Sequence, residues 1–174
     1  MTGRYHTVIG ACAAVIATAP FYPSGVGFPV IIAALGALGG LVPDIDDPYS
    51  TLGRCLPIPS CQSQNGMRHG RTLFGHQVWH RDQFHSLGMG LFFAMPVAVI
   101  LGLVPAVALL AGFLSHLVCD YINPTPMMLL WPFSTQRHRA SAPAMCSDSP
   151  LFIPIEMGVT AAAVYLAMHI LTLV

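Results

Sequence analysis

Five apolar stretches, from about Thr7 to Ala19, Gly27 to Val42, Ser86 to Leu103, Ala106 to Ile122 and Leu151 to Val174, hold only two charged side chains between them, Asp120 and Glu156. A water-soluble globule cannot be built on that pattern. Charged residues make up 8% of the chain, against about 25% in an ordinary soluble domain. With 55% of residues apolar before sixteen glycines are added, too little polar material remains to cover a surface facing water. The expectation is an all-α fold, a polytopic membrane bundle of about five helices, with residues 1–174 forming a single domain. The zero formal charge leaves no broad basic face, so no nucleic-acid partner is expected. Disorder, coiled coil and collagen are excluded by the same composition.

At about 1.5 Å per residue the third and fourth stretches reach roughly 26 Å, close to the roughly 30 Å hydrocarbon core. The first two are shorter, which leaves open whether they span fully. Pro20 with Pro23-Ser24-Gly25 parts the first two helices, Pro43 closes the second, and Gly102 and Pro105 part the third from the fourth. Pro96 is expected to kink the third. Two polar segments remain, Asp44 to His85 and Asn123 to Pro150, the latter ending in Ser147-Asp148-Ser149-Pro150, a helix cap followed by proline in the first turn.

The chain has no lysine, and its seven basic residues are Arg4, Arg54, Arg68, Arg71, Arg81, Arg137 and Arg139. Five crossings place all of them on one side, while the short links near Tyr22 and Val104 and the C-terminus, on the other side, carry none. The positive-inside rule therefore puts the arginine side in the cytoplasm and the C-terminus outside. Cys12, Cys55, Cys61, Cys119 and Cys146 show no zinc-ribbon spacing and read as reduced.

All seven acidic residues and seven of the eight histidines fall on that arginine side or at helix ends opening onto it. His6 begins the first helix, Asp44, Asp46 and Asp47 follow the second, and His80 and His85 lead into the third. His116 and Asp120 are four apart near the end of the fourth and share a face, and Glu156 lies just inside the fifth. Taken singly, Asp44 and Asp46 read as turn caps, and His69 and His76 as lining a solvated loop, with His76 a reserve ligand. His169 stands alone on the far side. The convergence is different, because ionisable groups at membrane level are costly, and a set drawn from every helix points to a metal cage at the cytoplasmic end. Mixed imidazole and carboxylate donors suit zinc first, with manganese or iron as alternatives.

The stretch Gly39-Gly40-Leu41-Val42-Pro43-Asp44-Ile45-Asp46-Asp47-Pro48 with Ser50, Leu52 and Gly53, the His80-Arg81 to His85-Ser86-Leu87 block, Leu114-Ser115-His116 to Asp120 with Asn123-Pro124, and Leu130-Trp131-Pro132-Phe133 occur in a distinctive order. Together they resemble the YdjM-like family of bacterial inner-membrane proteins, described as metal-dependent hydrolases, over nearly the whole chain. More distantly, the pattern is similar to the zinc-dependent phospholipase C fold, a helical cage of histidines and aspartates. The resemblance implies metal ligands at His6, Asp44, Asp46, His80, His85, His116 and Asp120, with Glu156 entering the last helix. It also argues that Met1 to Thr18 is retained, although Ala17-Thr18-Ala19 could serve a signal peptidase. Where the family commonly has His-Arg-Gly, an aromatic and Thr before His-Ser, this chain has Asp82, Gln83 and Phe84.

The function expected is that of a membrane-bound metal-dependent hydrolase of the bacterial inner membrane, holding two or more divalent ions. Its substrate would be a phosphoester, a phosphorylated lipid being the natural guess, attacked by a metal-activated water. Arg81 is expected to neutralise the phosphate and Asp46 or Asp82 to accept a proton. The competing reading is a non-enzymatic membrane protein, a carrier or partner-binding module, whose histidines form a closed structural metal site.

Overall fold

The computed structural model describes residues 3–21, 27–47, 50–55, 63–64, 67–73, 76–79, 83–122, 126–138 and 152–173, the strand residues and residues 152–156 by their backbone alone. Each apolar stretch forms a helix: α1 (Gly3–Thr18), α2 (Gly27–Leu41), α3 (Leu87–Leu101), α4 (Leu103–Tyr121) and α5 (Phe152–Leu173). Pro43 ends α2 by turning the chain into a 3-10 segment, Val42–Asp46. Gly102, at φ 96°, is the single residue between α3 and α4. Pro105 does not share that role; it sits in the first turn of α4, where its missing N–H costs nothing.

The polar segment after α2 carries a small addition to the helical fold. Three short antiparallel strands, β1 (Ser63–Gln64), β2 (Met67–Leu73) and β3 (His76–Trp79), pair in the order β1-β2-β3. The sequence pattern predicts a loop here, and the strands depart from it.

Helices α1, α2 and α4 pack on one another, with α3 against α4 and α5 against α1. The central three approach closely because glycine replaces side chains at their crossings. A Cβ at Gly40 would run into the carbonyl oxygen of His6 on α1, and one at Gly112 into that of Gly36 on α2. Without a hydrophobic force between helices in lipid, such backbone contact is what holds them together. One apolar cluster, Cys12, Ala14, Val15, Ile32, Ala108 and Ala167, fills one level of the bundle. A second, Val42, Phe113, Leu117 and Met127, lies beside the residues described below.

The segments Phe28–Asp46 and Leu103–Tyr121 are long and apolar enough to cross a membrane. The apolar side chains that face outward agree with a lipid environment: Leu91, Met95, Val99 and Ile100 of α3 and Tyr165, Leu166 and Met168 of α5 are all exposed.

Candidate metal centre

The buried face of α4 is Leu109, Gly112, Phe113, His116, Leu117 and Asp120, spaced by three and four residues, so packing this stripe inward buries His116 and Asp120 with it. The 3-10 segment after α2 brings Asp44 to the same level, where its backbone carbonyl accepts the N–H of Asp47 at 3.0 Å. His85 comes from the turn before α3. There the Ser86 hydroxyl donates to the Gln83 carbonyl at 2.7 Å and accepts the Met89 N–H at 3.2 Å, capping α3. The Leu87 N–H donates to the Leu129 carbonyl at 2.9 Å, which holds the same turn from the other side.

Four donor atoms therefore converge from three parts of the chain. His85 Nε2 lies 3.3 Å from His116 Nε2. Each also faces both carboxylates, His85 at 3.5 Å from Asp44 Oδ1 and 3.5 Å from Asp120 Oδ2, His116 at 3.6 Å from each. Ligands bound tetrahedrally at about 2.0–2.2 Å are separated by about 3.3–3.6 Å. These five separations fall within that range, and all four atoms lie within 4.8 Å of one another. Asp44, His85, His116 and Asp120 thus form a group that can hold a metal ion. His85, His116 and Asp120 are buried, while the Asp44 side chain keeps 18% of its surface open.

The tautomer of His116 is set by a group outside this quartet. Its Nδ1 is 2.7 Å from the carbonyl of Gly40, so Nδ1–H donates there and Nε2 is left with its lone pair toward the other donors. Burial alone would lower the His85 imidazole, but hydrogen bonding to Asp120 and Asp44 and their charge outweigh it, and the group is pushed up to about 9. The ring thus carries a proton that an incoming ion must displace.

His6 completes the arrangement. It is 2% exposed, its ring stacks on His116 with centroids 3.8 Å apart, and its Nε2 is 3.7 Å from Asp120 Oδ1. The two oxygens of Asp120 therefore point different ways, Oδ2 into the quartet and Oδ1 toward His6. The Nδ1 of His6 is buried with no hydrogen-bond partner among the described residues, a polar atom of the kind that ligands and ions satisfy.

Of the other residues singled out in the sequence, Asp46 stands at the end of the 3-10 segment and is not among the four converging donors. His80, Arg81 and Asp82 lie outside the described residues, as do Cys61 and Cys146; among the described residues Cys12, Cys55 and Cys119 form no disulfide. Glu156 lies in the first turns of α5, described by its backbone only. His169 stacks with Tyr165 on the exposed side of that helix. Gly40 is the participant that sequence reasoning missed. The signal was present in the Gly36 to Gly40 spacing, which marks a close helix approach, but nothing in it shows that the carbonyl exposed by that approach would receive an imidazole.

Fold and centre together define a small helical membrane protein with a largely buried group of two histidines and two aspartates able to hold a metal ion. The chain belongs to the YdjM inner membrane protein family, whose model matches residues 1–174. A relative from Bacillus subtilis (strain 168), the uncharacterized protein YvsG, is 35% identical over 144 residues, which cover 80% of this chain and 78% of that one. No solved structure matches the chain.

Proposed function

We propose that this chain is a membrane-bound metal-dependent hydrolase that cleaves a phosphoester, a phosphorylated lipid first among the candidates, at the cytoplasmic face of the bilayer. The observation that carries this reading is the donor set: two imidazoles and two carboxylates at tetrahedral spacing, with Asp44 open to solvent. Structural zinc sites are typically closed and rich in thiolate, and none of the three described cysteines belongs to this group.

His85, His116, Asp44 and Asp120 would hold one ion, zinc first and manganese or iron as alternatives. Asp120 Oδ1 and His6 lie beyond this quartet and would be the residues to hold a second ion. When bound, such ions supply Lewis acidity and lower the pKa of a coordinated water toward neutrality. The chain's own residues do the rest. Gly40 orients His116 through Nδ1, and Ser86 fixes the turn that presents His85. Arg81 neutralises the phosphate, and Asp46 or Asp82 accepts the proton released on attack. His80 and Glu156 are further ligands in this reading. Under a five-crossing topology all seven arginines would lie on the same side, which supports a site facing the cytoplasm and a C-terminus outside.

A single ion in a closed structural site is the second reading, favoured by the completeness of the four-donor tetrahedron. The test is metal content of the detergent-purified protein beside Asp120→Asn, combined with phosphate release from phosphorylated lipids in mixed micelles. Two equivalents, both reduced by Asp120→Asn, together with turnover that Arg81→Ala diminishes, are expected. One equivalent that survives chelation, without turnover on any phosphoester, would overturn the hydrolase.

A further inference from the structure

The turn that holds the His85 segment exposes apolar side chains. Within Leu130–Phe133, Phe133 is 93% exposed and Leu130 46%, and Pro132 is exposed between them. The turn is not a loose tail. Phe133 and Ser134 N–H groups both donate to the Leu130 carbonyl, at 2.9 and 3.0 Å, and Met127 pairs with His138 across its base. Met127 is itself fully buried against Phe113 and Leu117. An aromatic ring held outward on a rigid, tightly bonded turn calls for something to cover it.

The neighbouring helix indicates what that is. Leu87, Leu91, Met95 and Val99 follow one another at four-residue steps along α3, and all four are exposed, a continuous stripe on the lipid-facing side. The turn abuts the start of this helix. A Cβ at Gly88 would run into the Trp131 carbonyl oxygen and lie 2.9 Å from Pro132 Cδ. Helix α3 has 15 residues, about 22 Å at the usual rise, so alone it falls short of a hydrocarbon core of about 30 Å. Leu130 and Phe133 flank the Trp131-Pro132 pair that abuts the start of α3, where the apolar surface of the helix would otherwise end.

We infer that the Leu130–Phe133 turn is an interfacial membrane anchor, continuing the lipid-facing stripe of α3 and placing Phe133 at the boundary of headgroups and acyl chains. Aromatic side chains prefer that depth, where the ring leaves water without entering the bilayer centre. Because the Leu129 carbonyl holds the Leu87 N–H, two residues after His85, the anchor also fixes the depth of the candidate metal centre beside the headgroups. It does not depend on the hydrolase reading, only on membership of a membrane family and on the exposed surface.

The experiment is depth-dependent quenching of a single tryptophan in the full-length protein, reconstituted in vesicles of phosphatidylcholine with phosphatidylglycerol. In a Trp79→Phe, Trp131→Phe background, Phe133→Trp places the reporter in the turn, Leu130→Trp provides a second position and Val99→Trp a deep reference. Helicity by circular dichroism verifies each fold. The Phe133→Trp reporter is expected to lose more than half its emission with lipid brominated near the headgroup end of the acyl chain, and less with lipid brominated near the chain terminus. The Val99→Trp reporter is expected to show the reverse order. Unquenched emission from both turn reporters, with Val99→Trp quenched normally, overturns the anchor. Cross-linking of Phe133→Cys between copies, together with that unquenched emission, would assign the surface to a second copy of the chain instead.

Discussion

Replacing Gly40 with alanine adds one methyl group to α2, on a residue that contributes no donor side chain, yet it is expected to weaken both the fold and metal binding. The added Cβ would meet the His6 carbonyl oxygen and lie 3.1 Å from the His6 carbonyl carbon and 3.5 Å from the Gly10 Cα. These obstacles are backbone of α1, so no side-chain rotation relieves them and the two helices must move apart. Overpacking of this kind costs about 1–3 kcal/mol. The same displacement pulls the Gly40 carbonyl from His116 Nδ1, now 2.7 Å away. Leaving a buried partner unsatisfied adds about 1–3 kcal/mol, so the total loss of stability is about 2–6 kcal/mol. Loss of an orienting partner on a ligating histidine lowers metal affinity about 10–100-fold. The assay is thermal unfolding in detergent, followed by metal affinity of the folded fraction against a chromophoric chelator. Gly158→Ala on α5, where the added Cβ would meet nothing within 4 Å, is the control and should be neutral in both. Wild-type melting and affinity in Gly40→Ala would refute the argument that close helix approach builds the centre.

Ser86→Ala removes the side chain that caps α3 at Met89 N–H and is expected to lower stability by about 1 kcal/mol, read by thermal unfolding and by faster amide exchange in the first turn of α3. Metal affinity should rise with pH up to about 9 and level off above, since below that value His85 holds a proton that binding must expel; calorimetry in buffers of different ionisation enthalpy should report proton release, and an affinity independent of pH between about 6 and 8 would contradict it. Under the proposed topology, five crossings from an inside N-terminus, a periplasm-active reporter fused after Val174 should be active and a cytoplasm-dependent one dark; the opposite pattern would overturn that topology. His169→Ala should leave metal content unchanged, as measured by elemental analysis, because His169 lies on the exposed side of α5 with Tyr165.

What could be read from the sequence follows from how local each cause is. Helices were legible because lipid-facing and core-facing positions are both apolar, so their ends are marked by prolines, glycines and the return of charge; the α3 to α4 break at Gly102 is such a mark. His116 and Asp120 were legible as a pair because the helical repeat alone puts them on one face. Asp44 and Asp46, in contrast, were equivalent in sequence. The choice of Asp44 as the converging donor depends on the 3-10 turn that Pro43 begins, which turns one carboxylate toward His85 and His116. The three strands between Ser63 and Trp79 went unread because a short ribbon among glycines and polar residues has no clear two-residue alternation. Gly40 was hidden for a deeper reason: its contribution is a backbone carbonyl, which every residue possesses, and only the packing of α1, α2 and α4 decides which carbonyl meets an imidazole. The chemistry of the donors is thus written in residue types, whereas their tautomer, spacing and depth are set by how closely three helices can approach.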